Sequence, residues 1–111
     1  MSTLYVSDLD GTLLNTNTKL SEKSKEIINT LVQQGVKFTY ATSRSFSSAS
    51  EVIQGLNLSI PVITNNGAFY IEPTNGEIIY STSFSYEQMK YVSTIFIENK
   101  TYTACFFFVG V

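Results

Sequence analysis

One stretch decides how this chain is interpreted: Tyr5-Val6-Ser7-Asp8-Leu9-Asp10-Gly11-Thr12-Leu13. It opens with apolar, strand-favouring residues, and its glycine permits a sharp turn after them. We therefore predict a buried strand that ends in two carboxylates, Asp8 and Asp10, the only aspartates in the sequence. Because a buried carboxylate must be paired or bound to a metal, the pattern indicates a functional strand end rather than ordinary packing.

Composition narrows the possible functions. The 111 residues carry a formal net charge of −2 and are 43% hydrophobic, as in ordinary globular domains. This charge balance favours neither nucleic acid nor a membrane as a partner. With no histidine in the sequence, a histidine-based triad or metal site is excluded. The single cysteine, Cys105, cannot form an internal disulfide, and no signal peptide is visible, so we expect a cytoplasmic setting.

Strand and helix patterns alternate along the rest of the chain. After the first strand at 4–7, the predicted elements are a helix from Ser21 to Gly35, strands at 36–41 and 60–64 with a helix at 45–54 between them, a hairpin of strands at 68–72 and 77–81, a helix at 85–99 and a strand at 102–109. The Asn75-Gly76 pair is a strong hairpin signal. This order predicts an α/β fold with a Rossmann-like parallel sheet and a β-hairpin.

Polar clusters follow three of the predicted strands. They are Asp8-Leu9-Asp10, Thr42-Ser43-Arg44 and Thr64-Asn65-Asn66-Gly67. Because ligands bind beyond the carboxyl ends of strands in open parallel sheets, these clusters should converge on one site.

The first cluster resembles the nucleophile motif Asp-x-Asp-Gly-Thr-Leu of the haloacid dehalogenase-like (HAD) phosphohydrolases. The resemblance implies that Asp8 attacks phosphorus and forms an aspartyl-phosphate, while Asp10 protonates the leaving oxygen and then activates water. It also implies a Mg²⁺ ion held by the Asp8 carboxylate and the Asp10 carbonyl. The alternative is a pair of solvated turn aspartates with no catalytic role.

The second cluster resembles the family's second motif, in which a Ser or Thr hydroxyl binds a phosphoryl oxygen. The resemblance assigns this role to Thr42, with Ser43 beside it where many relatives have glycine. Arg44, the only arginine, stands where a helix should begin, which is a favourable place for an anion. The alternative is a surface cap with an ordinary arginine.

The third cluster resembles the segment after the third strand in the Cof-like branch of the family. There an Asn-Gly-Ala turn closes the site, which implies that Asn66 and Gly67 contact phosphate or substrate. Simple turn chemistry is the alternative. The branch also implies small phosphorylated metabolites as substrates and an α/β cap domain after the hairpin. We accordingly assign residues 1–83 to the first part of the core and residues 84–111 to the beginning of a cap.

The family's later motifs, a lysine and a further acidic group, have no match, and no aspartate follows Asp10. We therefore expect an incomplete, N-terminal portion of a phosphatase, with an unpaired sheet edge open to self-association. One alternative is a catalytically inactive remnant or interaction module that retains the fold. Another is a phosphoacceptor signalling domain, which the Asp-x-Asp-Gly-Thr loop and the hairpin disfavour.

Overall fold

A computed structural model describes residues 2–101 and 103. The strands are β1 (Leu4–Ser7), β2 (Lys37–Tyr40), β3 (Val62–Thr64), β4 (Phe69–Ile71) and β5 (Ile78–Ser81), and the helices are α1 (Glu22–Gln33), α2 (Phe46–Val52) and α3 (Tyr86–Glu98). The predicted α/β order is confirmed, with most elements a residue or two shorter than predicted. The predicted strand at 102–109 lies outside the described residues except for Thr103, and so does Cys105.

The described strands form a two-stranded parallel sheet and a three-stranded antiparallel sheet that contains the predicted hairpin, and one bridge links the two. β1 runs parallel to β2, with Leu4 opposite Lys37 and Ser7 opposite Tyr40. A single parallel bridge between Ala41 and Ile63 continues the pairing from β2 to β3. β3, β4 and β5 then pair antiparallel in that order. The carboxyl ends of β1, β2 and β3 consequently lie next to one another.

Serine side chains start all three helices. Ser21 accepts a hydrogen bond from the Ser24 backbone N–H at 3.1 Å, and Ser45 accepts one from Ser48 at 3.3 Å. Ser85 and Gln88 form a capping box, with bonds of 3.2 and 2.9 Å. Each serine satisfies an N–H group that the helix itself leaves without a partner, so local sequence fixes where the helices begin.

The core lies between α2 and the middle of the sheet. Tyr40, Leu9 and Val62 are fully buried there, with Ala49 of α2 and Ile71 of β4 beside them. The hairpin turn reaches the same helix: a Cβ added to Gly76 would lie 3.2 Å from the Phe46 ring.

The prediction that the first strand is buried is wrong for the described residues. Leu4, Tyr5 and Val6 are 54%, 56% and 49% exposed. A parallel strand becomes buried when neighbours cover both of its faces, and within residues 2–101 and 103 β1 pairs with β2 alone. The apolar face of α1 is likewise only partly buried, since Ile28 is buried while Ile27 and Leu31 are exposed.

Helix α3 stands apart from the core. It contains no buried residue, and Tyr86, Tyr91 and Ile97 are 70%, 69% and 76% exposed. The radius of gyration of 16.5 Å exceeds the ~13 Å typical of a compact domain of about 100 residues. No helix among the described residues is long and apolar enough to cross a membrane.

Two neighbouring buried hydroxyls of β2 should respond in opposite ways to removal. Thr39 donates a 2.7 Å hydrogen bond to the Pro61 carbonyl, whereas the Tyr40 hydroxyl has no partner among the described residues. Thr39→Val should lower the free energy of unfolding by roughly 0.5–1.5 kcal/mol, because it removes this hydrogen bond. Tyr40→Phe should leave that free energy unchanged or raise it, as urea denaturation would measure. A large loss of stability in Tyr40→Phe would contradict the unpaired hydroxyl.

Tyr40 should also make stability depend on alkaline pH. Burial raises the pKa of Tyr40 from 10.0 to about 12. The folded state therefore resists ionisation, and the stability that this tyrosine contributes below pH 10 is lost as the pH rises from 10 through 12. At pH 11 the loss should be about 1.4 kcal/mol. Urea denaturation of wild type and Tyr40→Phe at pH 8 and pH 11 isolates this effect, because the other tyrosines cancel in the comparison.

Candidate active site

Backbone hydrogen bonds join the three loops that follow β1, β2 and β3. The Ala41 N–H donates to the Ser7 carbonyl at 2.9 Å, and the Asn66 N–H donates to the Thr42 carbonyl at 3.1 Å. The Asn65 N–H donates to the Arg44 carbonyl at 2.9 Å. Because these hydrogen bonds join main-chain atoms, they fix the position of each loop relative to the next.

These loops enclose a cleft of about 400 Å³. Its walls are formed by Asp8, Ala41, Thr42, Ser43, Asn66 and Gly67. Five predicted site residues from three separate strand ends therefore meet at one place, as the sequence predicts. Asp10 and Arg44 are not part of this wall, and they pair with each other instead.

A wide turn at Leu9–Leu13 sends the two aspartates in different directions. The turn is closed by backbone bonds from Leu13 to Asp8 and from Leu14 to Leu9, at 3.3 and 2.9 Å. Asp8 lies at its start, where Oδ1 accepts a 2.7 Å hydrogen bond from the Leu9 N–H. Gly11 has a φ of +76°, a conformation that residues with a Cβ rarely adopt. The glycine that the sequence places here is therefore required by the backbone.

Thr42 is the most enclosed polar residue of the cleft. Its side chain is buried, and Oγ1 accepts a 3.1 Å hydrogen bond from the Arg44 N–H. Because the Thr42 hydroxyl accepts this bond through a lone pair, its own proton stays available for donation to a ligand. Ser43 is exposed beside it.

The opposite side of the cleft is a left-handed turn. Asn65, Asn66 and Gly67 have φ values of +51°, +55° and +90° in succession. Asparagine and glycine are the residues that tolerate this conformation best. Turn chemistry therefore explains why these residue types occur here, and their position in the wall gives them access to a ligand as well.

Arg44 forms a two-pronged ion pair with Asp10. Nε donates to Oδ2 and Nη2 donates to Oδ1, both at 2.8 Å. Nη1 donates to the Ser48 hydroxyl, also at 2.8 Å. The hydrogen bonds from Arg44 lower the pKa of Asp10, and the same contacts raise the pKa of Arg44. The carboxylate is thus held in its ionised form.

One residue near the site, Ser48, escaped the sequence interpretation, and another, Thr64, was placed in the third polar cluster without a role of its own. Ser48 lies four residues after Arg44, in the first turn of α2, and this i,i+4 spacing was the available signal. Thr64 ends β3 fully buried, with its hydroxyl unpartnered among the described residues. Nothing in the sequence marks that hydroxyl apart from its place at a strand end.

The site supplies few ligands for a metal ion. Within residues 2–101 and 103, no group of three or more acidic, histidine or cysteine side chains is placed to hold one. The Asp8 carboxylate in the cleft wall is a hard oxygen donor of the kind that Mg²⁺ prefers. The residues present therefore fit a hydrated Mg²⁺ ion with a small number of protein ligands.

Comparison with curated proteins finds phosphatases. A Buchnera aphidicola protein named "Putative phosphatase" is 40% identical over 87 residues, which are 78% of this chain and 32% of that protein. The HMP-PP phosphatase of Cronobacter sakazakii is 32% identical over 85 residues, 77% of this chain and 31% of the enzyme. The chain thus spans about a third of the length of the curated relatives it matches.

Solved structures share the fold. A structure from Thermotoga maritima is 30% identical with a TM-score of 0.70, over 89% of this chain and 37% of that chain. A phosphatase of the HAD superfamily from Bacteroides thetaiotaomicron is 25% identical with a TM-score of 0.77, over 90% of this chain and 37% of that one. The family model described as haloacid dehalogenase-like hydrolase matches residues 5–110. This chain therefore belongs to the haloacid dehalogenase-like hydrolase family.

Proposed function

We propose that the protein contributes the nucleophile and phosphate-binding half of a Mg²⁺-dependent phosphatase that works through an aspartyl-phosphate. One observation carries the proposal: the Asp8 carboxylate and the buried Thr42 side chain form the wall of the same open cleft. A nucleophile and a phosphate-binding hydroxyl must lie within reach of one phosphoryl group, and the shared lining by Asp8 and Thr42 supports these two roles.

In the first step, the Asp8 carboxylate attacks phosphorus and the bond from phosphorus to the ester oxygen breaks. The Thr42 hydroxyl and the turn at Asn66 and Gly67 bind the phosphoryl oxygens, with Ser43 at the open side. The leaving alcohol takes a proton from Asp10. Because Arg44 favours the ionised form of Asp10, the Asp10 carboxylate must take up a proton before it can act as an acid. A substrate with a good leaving group does not need this proton.

In the second step, water attacks phosphorus and the acyl-phosphate bond breaks. Ionised Asp10 accepts the proton of that water, so inorganic phosphate leaves and the Asp8 carboxylate is restored. The ion pair with Arg44 holds Asp10 in the form that this step uses.

Mg²⁺ would be held by the Asp8 carboxylate and the Asp10 carbonyl, with water filling other positions. When bound, the ion offsets the repulsion between the carboxylate of the nucleophile and an anionic substrate.

The substrate class that we propose is small phosphorylated metabolites. The relatives named in the comparisons include an HMP-PP phosphatase and a 5-amino-6-(5-phospho-D-ribitylamino)uracil phosphatase. An open cleft of about 400 Å³ has room for a phosphoryl group and a small attached moiety. A cytoplasmic location would suit such substrates.

We also propose that residues 84–111 begin a cap domain and that residues 1–83 belong to the core. The absence of buried residues in α3 supports this division. Self-association along the open side of β1 stays a prediction, supported by the exposure of Leu4, Tyr5 and Val6.

The second candidate function is an inactive module that retains the fold. The scarcity of metal-binding side chains in the described part of the chain is the observation that favours it. Phosphoryl transfer to Asp8 separates the two candidates, because an inactive module forms no phosphoprotein.

Asp8→Asn should abolish phosphoprotein formation. We expect the wild-type chain, incubated with acetyl phosphate and Mg²⁺, to gain one phosphoryl group on the peptide that contains Asp8. The asparagine keeps the shape of the side chain and removes the nucleophilic charge. Mass spectrometry of the digested protein is the measurement. Equal labelling of wild type and Asp8→Asn would reject the nucleophile assignment.

Asp10→Asn should lengthen the lifetime of the phosphoprotein. Acetyl phosphate has a good leaving group, so labelling should proceed, whereas hydrolysis of the acyl-phosphate should slow by ~10²–10⁴-fold without the base. The decay of labelled protein after removal of acetyl phosphate measures this. A change of less than about threefold would indicate that Asp10 serves the fold alone.

Thr42→Ala should weaken phosphate binding more than Ser43→Ala. The loss of a hydrogen bond to a charged group costs roughly 1.5–3 kcal/mol, which is about a tenfold to hundredfold loss in affinity. Titration with inorganic phosphate, followed through backbone amide resonances, gives the affinities. Thr42→Ser keeps the hydroxyl and is the matched control. A larger loss in Ser43→Ala would mean that the loop presents the other hydroxyl.

A further inference from the structure

Arg44 is turned away from the cleft that its neighbours line. Ala41, Thr42 and Ser43 all belong to the cleft wall, and Arg44 directly follows them without joining it. Its side chain is mostly buried, at 23% exposure, and runs toward Asp10 on one side and Ser48 on the other.

The hydrogen-bonding capacity of the guanidinium is largely used. Three of its five N–H groups donate hydrogen bonds. Nε and Nη2 donate to the two carboxylate oxygens of Asp10, and Nη1 donates to the Ser48 hydroxyl. The parallel pair of donors that matches a phosphate is the same pair that matches a carboxylate. Arg44 therefore cannot bind a phosphoryl group through its Nε and Nη2 edge while that edge holds Asp10.

Asp10 depends on this contact for its orientation. It lies in the wide turn before Gly11, with an exposed carboxylate that is 49% accessible. The only ion pair it makes within the described residues is with Arg44, which is 34 positions away in sequence. Ser48, on the rigid first turn of α2, fixes the far end of the guanidinium.

We propose that Arg44 is a positioning residue that acts through Asp10, with Ser48 as its anchor, rather than a ligand of the phosphoryl group. The chain from α2 to Ser48, Arg44 and Asp10 aims the carboxylate of the acid-base residue, and Thr42, Asn66 and Gly67 bind the anion without it. The catalytic role of these contacts among Ser48, Arg44 and Asp10 rests on the proposed function, whereas their geometry does not.

The first experiment uses the fact that Arg44 is the only arginine in the sequence. Its Nε–Hε group gives a single side-chain signal of its kind in the ¹H–¹⁵N spectrum, and water exchange of that proton reports the ion pair. We expect exchange at least about tenfold slower in wild type than in Asp10→Asn, because hydrogen bonding protects the proton. Ser48→Ala should lie between the two. Equal exchange in wild type and Asp10→Asn would overturn the proposal.

Inorganic phosphate is the competing anion. At saturation, the backbone amides of Thr42 and Gly67 should shift while the exchange rate of Arg44 stays within about twofold of its starting value. An increase to the rate of Asp10→Asn would show that Arg44 leaves Asp10 for the phosphate, and the proposal would be wrong.

A charge-neutral double variant gives the matched control for affinity. Asp10→Asn with Arg44→Gln removes both members of the pair and leaves the net charge unchanged. We expect its affinity for inorganic phosphate to remain within about threefold of wild type, against the tenfold or greater loss in Thr42→Ala. A loss as large as that of Thr42→Ala would make Arg44 a phosphate ligand and overturn the proposal.

The rate at which the Asp8 phosphoprotein decays tests whether Arg44 and Ser48 position Asp10 for hydrolysis. Arg44→Lys and Ser48→Ala should slow hydrolysis by about tenfold or more while leaving phosphate affinity unchanged, because a lysine presents a point charge and cannot hold both carboxylate oxygens. Unchanged decay in both variants would remove the positioning role. If no phosphoprotein forms in wild type, the proposed function fails, and the exchange and affinity measurements still decide whether Arg44 serves Asp10 or the anion.

Discussion

The arrangement of this protein depends on a short ladder of backbone hydrogen bonds across the ends of three strands. β1 pairs with β2 through four residues, and one bridge carries the register on to β3. Beyond the last paired residues, the loops continue to bond to one another through the Thr42 and Arg44 carbonyls. Because these bonds involve only the main chain, they fix where the loops lie and leave the side chains free for chemistry. The cleft is a consequence of that register.

Within this frame, the two aspartates serve different parts of the site. Asp8 remains beside the strand end and faces the cleft, while the turn before Gly11 carries Asp10 toward the start of α2. A strand continued without interruption would have put both carboxylates on one face, close enough to repel each other. The turn separates them, and Arg44 compensates the charge of the second.

Local patterns in the sequence predicted the features that depend on a few neighbouring residues. The hairpin at Asn75-Gly76 follows from short-range chemistry, and the convergence of the polar strand ends follows from the general rule for parallel sheets once the strand order is predicted. The exposure of β1 could not be predicted this way, because burial depends on which neighbours cover a strand. The pairing of Arg44 with Asp10 is also beyond local patterns, since it joins residues from two loops whose relative placement only the folded sheet defines.

The exposure of β1 has a consequence for the chemistry that it supports. The strand that precedes Asp8 is four residues long and, among the described residues, is hydrogen-bonded along one side. Short strands held from one side fray, and fraying is visible as rapid amide hydrogen exchange. Each fraying event displaces Asp8 relative to Thr42, so the fraction of time in which the two are aligned follows the local stability of β1. Any contact that steadies the outer side of this strand would therefore favour the alignment of Asp8 with Thr42, although it touches neither the cleft nor a ligand in it.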